Sequence, residues 1–228
     1  MLRSAIDGAI DAARSFAAGS NFALPEFAAW SRDEWLPQVD RLGPTLSRGL
    51  GWDVTDFGRG DFARYGLCLC TLRNGSVSEV DRNTAQTYAE KVMVVEVGQE
   101  TPFHRHPRKT EDIINRGGGV LRVEIHPADG HNLGDGATTT LVDGIQTRVG
   151  AGQGIVLRPG QSIQIPSGAF HRFWAEGERV LGGEVSAVND DDNDNDFLEP
   201  FPRYASIEED APARYLLVGE YAAIVDAP

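Results

Sequence analysis

The sequence predicts an all-β dominated chain whose strands close into a barrel or sandwich, with a helical extension at its N-terminus. Three observations carry this. Glycine and proline are frequent, 26 and 12 among 228 residues, and both punctuate a chain into turns. After Gly51 the chain reads as short runs, alternating or β-branched, each bounded by Gly, Pro or Asn. Before that point, Leu2, Ile6, Ala9, Ile10, Ala13 and Phe16 recur at helical spacing.

Taken in order, residues 2–17 form an amphipathic helix. Pro25 suits the first turn of a second helix over about 25–33. Residues 34–50 read as a short helix and a glycine-rich turn. "WDVTDFG" and "GLCLCTLRNG" are short strands, the second ending in an Asn-Gly turn signal. "YAEKVMVVEVGQETPFHRH" is a pair of strands about Gly98. Further strands follow in "TEDIINRGG", "GVLRVEIH", "TTTLVDGIQTRVG", "GQGIVLRPGQSIQIPSGAFHRFWAE" and "RVLGGEVSAVND". One more strand or helix falls at "YLLVGEYAAI". The expected division is a helical extension over residues 1–50, packed on a barrel domain over 51–228.

The apolar fraction of 41% supplies a core, and the charged fraction of 24% is ordinary for a soluble protein. A net charge of −13 argues against nucleic acid or an anionic membrane as partner, because both need a basic surface. The N-terminal segment carries two aspartates and lacks the apolar centre of a secretory signal, so the cytoplasm is the expected location. Cys68 and Cys70 share one strand face and read as buried small apolar residues.

The chemistry concentrates in "TPFHRHPRKTEDIINRGGG", residues 101–119. His104 and His106 share one strand face by the two-residue period. Pairing about the Gly98–Gln99 turn sets Val95 against Pro102, Met93 against His104, and Lys91 against His106. Pro107 turns the chain, and Glu111 opens the next strand beside the histidines. His171, on the strand after the "PSG" turn, completes the set; His126 and His131 flank the "PADG" turn and read as loop residues. Imidazoles with a carboxylate suit Mn²⁺, Fe²⁺, Co²⁺, Ni²⁺ or Zn²⁺. A second hairpin near Gly177 sets Phe173 against Val180, His171 against Gly182 and Ala169 against Glu184. Glu184 then faces the same cavity as His171. Lys91 and Glu184 are inward charges, and a buried charge needs a partner or a job. They read as a proton-transfer group, Glu184, with a cationic helper, Lys91. Phe173, Asp190 and Arg203 are further candidate pocket contacts. The acidic run "NDDDNDNDF" reads chiefly as a solvated loop.

These segments resemble the paired metal motifs of the cupin superfamily. Gly98, His104, His106, Glu111 and Gly118 fill the first motif; Gly160, Pro166, Gly168 and His171 fill the second, whose terminal asparagine is replaced by Ala175. More narrowly, "EKVMVVEVGQETPFHRHPRKTEDIINRGGG", "HRFWAEG", "GGEVSAVNDDDNDNDF" and "RYASIEEDAPARYLL" resemble the D-lyxose isomerases, sugar ketol-isomerases of the cupin type. The resemblance implies a cupin jelly-roll, one divalent metal ion per subunit, usually Mn²⁺, bound by His104, His106, Glu111 and His171, and Lys91 and Glu184 facing the sugar. It also implies a homodimer, and interconversion of D-lyxose with D-xylulose and of D-mannose with D-fructose; the segments around the histidines offer no glycine-rich phosphate cradle on a helix, which favours a free monosaccharide over a sugar phosphate. The rivals are an Fe²⁺ dioxygenase or Mn²⁺ decarboxylase on the same metal shell, and a sugar-binding barrel without a base.

Overall fold

A computed structural model of the chain describes residues 1–76 and 86–225. It begins with helix α1 (Arg3–Gly19), followed by a 3₁₀ turn (Glu26–Ala29), α2 (Arg32–Trp35), a second 3₁₀ turn (Leu36–Arg41) and α3 (Gly43–Ser47). The expected second helix is thus a 3₁₀ turn and a one-turn helix. Trp30 is extended between them, and Ser31 with Glu34 forms a capping box that restarts the helix.

The strands are β1 (Gly51–Thr55), β2 (Leu67–Arg73), β3 (Tyr88–Val95), β4 (His104–Arg105), β5 (Glu111–His126), β6 (Ala128–Asp129), β7 (Asn132–Leu133), β8 (Thr138–Val142), β9 (Ile145–Val149), β10 (Ile155–Leu157), β11 (Ser162–Ile165), β12 (Phe170–Ala187) and β13 (Asp196–Phe197). Neighbours run β1-β2-β3-β12-β5-β11-β8-β9, with β10 on β5, and β4 bridging β12 and β13. Every strand pair is antiparallel.

The sheet has two apolar faces. Ile6, Ile10, Ala13 and Ala17 of α1 repeat at helical spacing and pack on Trp52, Val54, Cys68, Cys70, Val92 and Val94. Burying each isoleucine contributes about 1.5–3 kcal/mol. Cys68 and Cys70 are free and buried there. The opposite faces of β2 and β3 turn Leu69, Met93 and Val95 into the barrel, against Ile113, Leu121, Val123, Ile163, Phe173 and Val180.

The structure corrects both hairpins expected from the sequence. Strand β3 pairs with β2 and β12, not with β4. Residues 96–103 do not fold back; they cross to the far half of β12, where Thr101 N–H donates to Phe173 O and Glu100 bridges Trp174. Gly98 makes this turn at φ 75°, and Gln99 is buried, its Nε2 donating to Phe62 O at 2.6 Å. Nor does the chain reverse at Gly177. β12 is one 18-residue strand that pairs along its length with β5. Between Glu176 and Val180 it bulges outward past β5. The bulge switches the inward parity: Phe173 and Ala175 face the interior before it, Val180 and Glu184 after it. Gly118 and Gly119 allow the bend, since a Cβ there would lie 2.1 Å from Arg179 O and 2.3 Å from Glu178 O.

Candidate active site

Three histidines meet at one end of the barrel. His104 on β4 is register partner of His171 on β12, and their ring centroids lie 4.2 Å apart. His106 follows at 5.3 Å from the His104 ring. Each ring is aimed by the main chain. His104 Nδ1 lies 2.9 Å from Pro102 O, His106 Nδ1 2.5 Å from Asp194 O, and His171 Nδ1 3.2 Å from Ala169 O. A carbonyl only accepts, so these contacts hold each Nδ1 on the main chain and turn each Nε2 toward the cluster. Burial, then repulsion from its imidazole neighbours, holds His104 well below the usual histidine range. Burial lowers His106 to about 4 despite the nearby Glu111 charge. Both are neutral at pH 7, as a ligand must be.

The ligand nitrogens of the three rings lie within 4.8 Å of one another. Glu111, first residue of β5, brings Oε1 to 2.9 Å from His171 Nε2 and Oε2 to 3.4 Å from His106 Nε2. Four potential ligand groups thus converge in a buried space, Glu111 and His171 being almost fully excluded from solvent. Three imidazoles with one carboxylate match a borderline divalent cation. The residues present fit such an ion.

Beside them sits a charge cluster. Lys109 is 2% exposed and places Nζ 2.7 Å from Glu184 Oε1, 3.0 Å from Glu111 Oε2 and 3.1 Å from Asn189 Oδ1. Lys91 Nζ lies 3.5 Å from Glu184 Oε1 and donates to the same Asn189 Oδ1 at 2.7 Å. Burial pushes the Glu184 carboxyl up, but the positive charges of Lys109 and then Lys91 outweigh it and hold it below the usual range. Burial likewise opposes ionisation of Glu111, and Lys109 followed by His106 keeps it well below that range.

The acidic run is not a solvated loop. Asp190 Oδ2 accepts from Arg108 Nη2 at 3.0 Å, Asp194 caps the backbone N–H groups of Arg108 and Lys109, and Asp196 pairs with Arg105 at 2.7 Å. Asp190 and Asp196 thus pair with Arg108 and Arg105 while Asp194 holds the backbone at Arg108 and Lys109, strapping residues 189–197 over β4. Asn74 locks the strap's start through reciprocal bonds with the Asn189 backbone.

A small cavity opens onto this cluster, and Lys91, His104, His106, Glu111, Phe173, Glu184 and Arg203 all line it. His171 is fully buried at its wall. Asp190 is the exception among the sequence-derived pocket contacts: its carboxylate turns to Arg108 and a separate cleft. Its neighbour Asp191 takes the cavity position instead, 3.6 Å from Lys91 Nζ and 3.2 Å from Arg203 Nη2. Arg203 is also paired with Asp53. His126 sits against Glu124 and Gly134 O, and His131 near Asp196, both away from the cluster. Lys109, Asn189, Asp191 and Phe57 were not named as candidates from the sequence, though the two-residue spacing of Lys109 from Glu111 was a signal. Their approach depends on the strap and on a turn that no period predicts.

Comparison with known proteins agrees with this geometry. The D-lyxose isomerase family model matches residues 1–221. The D-lyxose/D-mannose isomerase of Escherichia coli O157:H7 is 47% identical over 226 residues, covering 97% of this chain and 98% of that protein. Its counterpart from Serratia proteamaculans is also 47% identical, over 227 residues. Among solved structures, Cellulomonas parahominis L-ribose isomerase with L-psicose shares the fold at TM-score 0.57 and 16% identity, covering 91% of this chain and 98% of that one. Fold and site thus define an aldose–ketose isomerase built on a cupin barrel. Within that class, the chain belongs to the D-lyxose isomerase family.

Proposed function

We propose that this isomerase interconverts D-lyxose with D-xylulose and D-mannose with D-fructose. One divalent ion per subunit, Mn²⁺ before Co²⁺, Fe²⁺, Ni²⁺ or Zn²⁺, is held by His104, His106, Glu111 and His171. When bound, such an ion polarises sugar oxygens and stabilises developing oxyanion charge. Glu184 is the base. It takes the C2 proton of the aldose, leaving charge on O1; O1 gains a proton to give the cis-enediol, the O2 proton is then released, and Glu184 returns its proton to C1 as C2–O2 becomes the carbonyl. Its two ammonium neighbours keep it ionised before the reaction. Lys91, which lines the cavity, donates toward the oxygen that gains charge; Lys109, behind the two carboxylates, holds them apart. Phe173, Arg203 and Asp191 meet the rest of the sugar. The observation that supports this most is a buried Glu184 that lines one cavity with Lys91, His104, His106 and Glu111, beside the three-histidine cluster. A decarboxylase, an oxygenase or a binding module gives no account of a base poised beside two ammonium groups, and the family match favours none of them. The same reading takes residues 1–50 as an extension packed on a barrel of residues 51–228, and the enzyme as a cytoplasmic homodimer, as the family resemblance suggests.

The test is turnover of D-lyxose and D-mannose by Mn²⁺-loaded protein in D₂O, beside Glu184→Gln. The reading expects ketose formation by the wild type and a fall in kcat of about 10²–10⁴-fold in the variant, the range of a general base. An active Glu184→Gln enzyme removes Glu184 from the chemistry. Solvent deuterium at the C1 position of the ketose supports the enediol route.

A further inference from the structure

Phe57 stands out on three counts. Its φ is 52°, in the left-handed region that bulky residues avoid; the other described non-glycine residues there, Asn21 and Asp143, are types that tolerate it. It is 3% exposed, yet it belongs to neither apolar cluster that flanks the sheet. Its ring lines the cavity instead and packs edge-on to Phe197 at 5.7 Å. The strain is over-determined locally. Phe57 N–H donates to Thr55 Oγ1 at 3.0 Å, and the Asp56 carboxylate accepts from Gly58 N and Gly60 N at 3.0 and 3.1 Å. A strained residue held so firmly at a cavity wall points to a role for its side chain there.

The position of the ring says which role. His104 stacks on Phe197 at 5.9 Å, and Phe197 on Phe57, so the aromatic pair leads away from the histidines. C1 and C2 of an aldose must lie at Glu184 and the histidines, and the far carbons then run toward this wall. The remaining apolar lining from Leu69, Met93, Ile113 and Phe173 is part of the packed barrel interior and forms the floor. We propose that Phe57 is a specificity-determining residue, a rigid end wall that sets how long an aldose chain the cavity accepts. The inference rests on the isomerase reading above. Pentose and hexose substrates differ there by one hydroxymethyl group, and one such group is worth roughly 10–200-fold in a fitted pocket.

The experiment compares kcat/KM for D-lyxose and D-mannose in Mn²⁺-loaded wild type, Phe57→Ala and Phe57→Leu. The wall predicts that the mannose-to-lyxose ratio rises at least about 10-fold in Phe57→Ala, and by a smaller factor in the same direction in Phe57→Leu. A uniform loss on both sugars, or an unchanged ratio in the folded variants, overturns it. Should Phe57→Ala not fold, Phe57→Leu alone decides by the same ratio. Wild-type protein that turns over neither sugar would instead contradict the isomerase reading itself.

Discussion

Strand β3 separates two regions built on opposite principles. One face sets Val92 and Val94 under α1 in an apolar layer; the other turns Lys91 and Met93 into the barrel, where Lys91 meets two carboxylates and an amide. The apolar layer gains its energy from buried area and tolerates exchange between aliphatic side chains of similar volume. The polar cavity gains little net stability from its charges, because desolvation offsets their attraction. Each charge there is costly to leave alone, and so the cluster is closed: Lys91 and Lys109 share Asn189 Oδ1, and Glu111 and Glu184 share Lys109. Its order serves chemistry, and that of the layer serves folding.

Substitutions sharpen the contrast. The largest effect is expected for Lys109→Met, which leaves two buried carboxylates facing each other. Breaking such a cluster costs about 3–5 kcal/mol of stability, and kcat should fall at least 10-fold in whatever protein remains folded. Urea unfolding and steady-state kinetics together check it; unchanged kcat would break the link between this lysine and Glu184. Ile10→Ala, in the apolar layer, should cost about 2–5 kcal/mol of stability and leave kcat and KM of the folded enzyme unchanged. A catalytic defect there would mean the two regions are coupled across β3.

The smallest effect concerns pH. Burial disfavours the Asp191 charge, but Arg203, Lys91 and Lys109 overcome it and hold its carboxyl well below the usual range. A lowered folded pKa means stability that is fully present above the unfolded value of about 3.9 and lost as pH falls through the folded value. The stability difference between wild type and Asp191→Asn should therefore be constant from pH 7 to about 5 and shrink below about 4. A difference independent of pH would show that Asp191 carries no linked proton.

The convergence of the histidines with Glu111 and the inward facing of Lys91 were legible in the sequence, because the two-residue period within a strand holds whichever strand it pairs with; Glu184 faces inward as expected, but by another route. The partners themselves were not. Glu184 reaches the cavity by the bulge after Glu176, not by a hairpin, and a bulge has no sequence period. Lys91 reaches it from β3 across β12 rather than across β4. The acidic run looked like a solvated loop because its partners, Arg105, Arg108 and Lys109, lie some 80 residues earlier in the chain. Local pattern could show the charges on both sides but not that they meet. The helical extension was legible in α1, whose apolar spacing is strong; the stretch after Pro25 broke into single turns that periodicity does not resolve.

The most direct test of the central claim is a calorimetric Mn²⁺ titration of chelator-treated wild type and His171→Ala at pH 7. The account predicts one ion bound per chain in the wild type and at least a 100-fold weaker site in the variant, because a buried imidazole lone pair is lost. Equal stoichiometry and affinity in the two proteins would contradict it.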